Sequence, residues 1–191
     1  MQVKVFLKRA LSASLLSVAL LGVAAAFGGA DCGTSTNGTT TISIITSIPH
    51  DLVDSGKHCD YDSNQSKYDS YVKTAVATWN AYKPGVFRPD DGKVLQDVRI
   101  SDVNNEGNGW TGITNLAFAY IHLNKAYLDD PSYNFNYNNI LHTVTHELGH
   151  ALGLDENNDG LPTNVMRQGK RENISLSTDD KASYDAAYAR Y

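Results

Sequence analysis

Apolar positions recur along the chain with two helical runs and several strand-like ones. Between Ser66 and Tyr82, Tyr68, Tyr71, Val72, Ala75, Val76 and Trp79 return every three or four residues and Pro84-Gly85 follows, which predicts an amphipathic helix. Ile140, Leu141, Val144, Leu148, Ala151 and Leu152 share one helical face, so Ile140 to Glu156 predicts a second helix docked on a core. Thr41 to Ile48 is almost continuously β-branched and stops at Pro49, the pattern of a strand. Val94 to Ile100 and Gly112 to Leu123 predict further strands, separated by the Asn/Gly-rich turn from Asn104 to Gly109. Within the second of these, Ala117, Ala119, Ile121 and Leu123 alternate with Phe118, Tyr120, His122 and Asn124, as in an edge strand with one wetter face. Thr34 to Thr41 reads as a flexible lead-in and His50 to Asn64 as a polar, turn-rich loop. Near the end, Ser177 and Asp180 form an N-cap pair for a closing helix.

Residues 1–30 read as a secretory signal peptide. Lys4, Lys8 and Arg9 precede small and apolar residues from Ala10 to Ala26, with small residues at possible cleavage points. An uncleaved anchor is the alternative, since the apolar stretch is at the lower edge of what spans a bilayer. At 191 residues, the remaining 31–191 suit one domain. Three of the 16 basic residues and none of the 21 acidic ones fall in 1–30, so the mature chain carries 13 against 21, net −8. That excludes the basic footprint of a nucleic-acid binder. The two cysteines, Cys32 and Cys59, suit a disulfide in an oxidising compartment; zinc ligation by the thiolates lacks a C-x-x-C partner.

The chemistry lies in His146-Glu147-Leu148-Gly149-His150, an H-E-x-x-H motif on the second predicted helix. His146 and His150 stand about 6 Å apart along the axis and about 40° around it, so both imidazoles can reach one cation. Zinc takes neutral imidazole nitrogen and keeps an open position in catalytic sites. Glu147, rotated about 100° from His146, lies beside such a metal, where a carboxylate can act as general base toward water attacking an amide. Given the few His and Glu in the chain, the motif would arise by accident in about 0.4% of such sequences. His142, four residues before His146, is about 12 Å along the axis from partnering His150 on one ion and suits a supporting or merely polar role. His50, His58 and His122 read as ordinary polar residues.

His146 to Glu156, HELGHALGLDE, resembles the active-site helix and turn of the metzincin zinc endopeptidases, most closely the matrixins, with the pattern H-E-x-x-H-x-x-G-x-x-H. Gly153 stands at the family's glycine, where a left-handed residue ends the helix and turns the chain toward a third ligand. Thr163-Asn164-Val165-Met166 resembles the Met-turn. The resemblance covers about residues 40 to 191 and implies an α+β zincin fold: a twisted mixed sheet with an active-site helix, a cleft along the edge strand containing Ile121 to Asn124, and a small C-terminal lobe. It implies an endopeptidase acting on protein or peptide, whose preference depends on the wall between Met166 and Tyr184; with the signal peptide of residues 1–30, a secreted monomer without stable membrane association is expected. Where the family has a third histidine this chain has Glu156, an acceptable zinc ligand, with Asp155 as rival if the turn shifts by one residue. Asp155 to Gly160 also imitates the start of a calcium loop, but that loop's twelfth position would be Met166. The missing histidine motivates an alternative, a catalytically silent metal-binding or adhesion module; Glu147 argues against it.

Overall fold

The computed structural model describes residues 44–93 and 95–191. The signal-peptide reading of 1–30, the lead-in and Cys32 lie outside the described residues. Five strands form one mixed sheet: β1 (Cys59–Gln65), β2 (Phe87–Pro89), β3 (Val98–Val103), β4 (Gly112–Asn115) and β5 (Tyr120–Asn124), in the order β2-β1-β3-β5-β4. All neighbours are parallel except β4, which runs antiparallel to β5 at the edge. Two helices cover one face, α1 (Asp69–Tyr82) and α3 (Tyr137–Ala151). A short α2 (Lys125–Leu128) links β5 toward α3, and α4 (Thr178–Tyr188) closes the C-terminal part. Among the described residues no helix is long and apolar enough to cross a membrane.

Several expectations are corrected by tertiary pairing. The strand expected over 41–48 is, in its described part, only an isolated bridge between Ser47 and Leu154. The loop expected over 50–64 contains β1, whose Cys59, Tyr61 and Ser63 are buried while Asp60 and Asp62 face the other way. Asp and Asn disfavour strands in isolation, yet β1 is held on both sides by β2 and β3. Residues 112–123 form a hairpin rather than one strand, with Ala119 at φ 53° in the turn, and its first arm takes the edge. β5 is therefore interior, so the edge lies at β4 and not at Ile121–Asn124.

The core lies between the helices and the sheet. Val72, Ala75, Val76 and Trp79 of α1 and Leu141, Val144 and Leu148 of α3 pack over Tyr61, Ile100, Ile121 and Leu123. Trp79 is wholly buried and its indole N–H donates to the Thr145 carbonyl at 3.0 Å, tying the two helices together. The start of α3 is set by a reciprocal capping box: Asn136 accepts from the Asn139 N–H and Asn139 from the Asn136 N–H, each at 3.0 Å. The helix ends at Ala151, short of Glu156, because Gly153 adopts φ 77° and its N–H caps the His150 carbonyl. A Cβ there would be strained in φ and within 3.2 Å of the His50 carbonyl.

Candidate metal centre

The turn at Gly153 brings Glu156 back over the last turn of α3. His146 Nε2 and His150 Nε2 are 3.1 Å apart, and Glu156 Oε1 stands 3.4 Å from the first and 3.5 Å from the second. Four ligands at 2.0–2.1 Å around a tetrahedral ion stand about 3.3–3.4 Å from one another, so this triangle is one face of such a tetrahedron. Each imidazole is oriented from behind: His146 Nδ1–H donates to the Val165 carbonyl and His150 Nδ1–H to the Leu154 carbonyl, both at 2.9 Å. That orients both rings with Nε2 toward the common point, where each would offer a lone pair to a metal in exchange for the proton it shares with Glu156. Glu156 Oε2 is buried with no hydrogen-bond partner, an arrangement that an added cation would compensate. These are the three donors that the described residues gather as a possible metal cluster.

The charges point the same way. Burial is the strongest influence on His150 and lowers its pKa, but hydrogen bonding to Glu156 and the charge of Glu147 outweigh it and bring it to about 9. Burial would raise the Glu156 carboxyl, yet hydrogen bonds from His146 and His150 hold it well below the usual carboxylate range. The site thus favours positive charge beside Glu156, the condition for holding a cation. Asp155 does not join it; Asp155 is exposed and its Oδ1 accepts the Glu156 N–H at 2.8 Å. His142 is buried, its Nδ1–H donates to the Asn173 carbonyl at 2.7 Å, and burial lowers its pKa. In the calcium-like stretch Asp155 and Asp159 are exposed, whereas the buried Asn157 donates through Nδ2 to the Ile44 carbonyl.

Support comes from Met166, in the turn that resembles the family's Met-turn, and from Asp180 and Thr114, whose links to the site no local pattern announces. Met166 is wholly buried and packs against Gly149, which lies in the last turn of α3 between the two histidines. Its turn is held by Asp180, whose two carboxylate oxygens accept the Val165 N–H at 2.9 Å and the Met166 N–H at 3.1 Å. The same Asp180 completes the capping box with Ser177, so the start of α4 reaches His146 through Val165. Glu147 is 6% exposed and accepts from Thr114 Oγ1 at 2.7 Å. Thr114 carries no motif of its own; only its pairing on β4 reveals it. A cavity of about 690 Å³ opens beside the triad, walled by Trp110, Tyr127 and Phe135 and reaching Glu147.

The model of the peptidase M10 family, matrixin, matches residues 55–189. No curated protein matches the chain. Among solved structures it is similar to archaemetzincin from Methanopyrus kandleri, with a TM-score of 0.51 and 15% identity over 72% of this chain and 99% of that one. It is also similar to a chain of the GM1-bound ECX AB5 holotoxin, with a TM-score of 0.42 and 16% identity over 71% and 80%. The family match spans the sheet, the helix bearing His146 and His150, and all of α4, and on it the chain belongs to the matrixin family of peptidases.

Proposed function

We propose that the protein is a zinc-dependent endopeptidase in which His146, His150 and Glu156 hold the metal and Glu147 is the general base. The observation that carries this reading is the triangle of two oriented imidazoles and one carboxylate with edges of 3.1, 3.4 and 3.5 Å. Zinc held by these three residues would supply Lewis acidity to polarise a peptide carbonyl and acidify water. Glu147, one residue from a ligand and lining the cavity, accepts the proton as water attacks and can return it to the departing amine. The exposed edge of β4 beside α3 offers backbone groups to an extended peptide. Export by residues 1–30, action outside the cell as a monomer, and pairing of Cys32 with Cys59 belong to the same reading; N-terminal sequencing of the exported protein and thiol titration under denaturing, non-reducing conditions test the first and last.

Zinc analysis together with hydrolysis of an unstructured protein substrate tests the central claim. One equivalent of zinc, activity lost on chelation and restored by zinc, and Glu147→Gln retaining metal while losing about 10²- to 10⁴-fold in rate are the expected results. A near-native rate in Glu147→Gln overturns the base assignment. Full zinc occupancy without hydrolysis would instead support a silent binding module.

A further inference from the structure

We infer that Gly112 and Thr114 of β4 form a seat that positions the Glu147 carboxylate, with Thr114 holding one oxygen so that the other faces the cleft. The inference rests on the reading of Glu147 as general base. The two residues alternate on one face of the edge strand, in register with Leu123 and Ile121, whose side chains are buried beneath the helices. That face of β4 therefore looks onto α3. Thr114 Oγ1 lies 2.7 Å from Glu147 Oε2 and 2.9 Å from the Glu147 carbonyl, so a single hydroxyl bridges the side chain and backbone of the residue. A Cβ on Gly112 would stand 2.7 Å from Glu147 Cγ and 2.9 Å from Oε1, closer than real contacts allow. Only glycine lets the carboxylate lie flat against the strand. Thr114 binds Oε2, and Oε1 is left to receive the proton of the attacking water; no bond at Thr114 breaks. An untethered carboxylate would sample other rotamers at the moment of attack, and misplacement of about 1 Å is worth about 100-fold in rate. Thr114 is thus a positioning residue, acting through Glu147.

The test uses the full chain with Thr114→Val, which keeps the shape and removes the donor, and Thr114→Ser, which restores it. Thr114→Val should lower kcat about 10- to 100-fold with KM and zinc content unchanged, and Thr114→Ser should return kcat to within about threefold of the parent. A crystal structure of the metal-free Thr114→Val protein should show the Glu147 carboxylate swung away from β4, whereas Thr114→Ser keeps it there. Gly112→Ala should displace it even with Thr114 present. An unmoved carboxylate with parental kcat in Thr114→Val overturns the inference, as does a loss that follows zinc content or is not rescued by serine. If the parent protein holds zinc yet does not hydrolyse, the functional reading fails, and the crystallographic comparison still decides whether the seat exists.

Discussion

The two helices that cover the sheet are nearly equal in length and unlike in what they bury. α1 has 14 residues and buries Val72, Ala75, Val76 and Trp79, all apolar, with Lys73 and Asp69 paired on its solvent side. α3 has 15 residues and buries twelve, among them Asn139, His142, Thr143, Thr145, His146 and Glu147. An unpartnered buried polar group costs about 1–3 kcal/mol, so so many are tolerated only because they are bonded. Thr143 and Thr145 donate to carbonyls one turn back, Asn139 to the Arg171 carbonyl, and the histidines to carbonyls of the following loops. α1 is built for packing, whereas α3 gives part of its packing surface to the groups proposed to hold the metal and move the proton.

The contrast is broken most severely at the three residues proposed to hold zinc. His146→Ala, His150→Ala and Glu156→Ala should each weaken zinc binding by more than the roughly 10- to 100-fold typical of losing a supporting partner, while Asp155→Ala should leave it unchanged by competition against a chelator. Zinc retained in Glu156→Ala and lost in Asp155→Ala would move the ligand one residue upstream. Next in size is Gly149→Ala. Its Cβ would press on Met166 and stand 3.0 Å from the Trp79 ring, so denaturant unfolding should show a loss of about 1–3 kcal/mol together with weaker zinc binding.

Changes on α1 sharpen the comparison by leaving the metal alone. Trp79→Phe removes the indole bond to Thr145 and part of a buried ring; a loss of about 1–3 kcal/mol with zinc affinity intact is expected from unfolding and titration in parallel. Coupled loss of zinc would show that α1 sets the geometry of α3 rather than merely supporting it. The smallest effect belongs to Lys73→Met, which breaks an exposed pair one helical turn apart and should leave the melting temperature unchanged.

Sequence by itself determined α1, α3 and the start of α4, because each carries its own period or cap: Trp79 and its neighbours, the stripe from Ile140 to Leu152, and Ser177 with Asp180. It also made the pair His146 and His150 legible, since four residues on a helix is a local distance. Tertiary structure decided what depends on distant partners. Cys59 to Gln65 became a central strand through β2 and β3, and residues 112–124 folded into a hairpin whose first arm took the edge. Only folding set Glu156 rather than Asp155 beside the two imidazoles, because the choice turns on how the chain leaves Gly153 and which carboxylate is spent on its neighbour's N–H. Thr114 and Asp180 reach the site across 33 and 15 positions of chain, to Glu147 and to Val165. No local pattern encodes such contacts, for a hydroxyl or a carboxylate gains its role from whatever the fold places within hydrogen-bond reach.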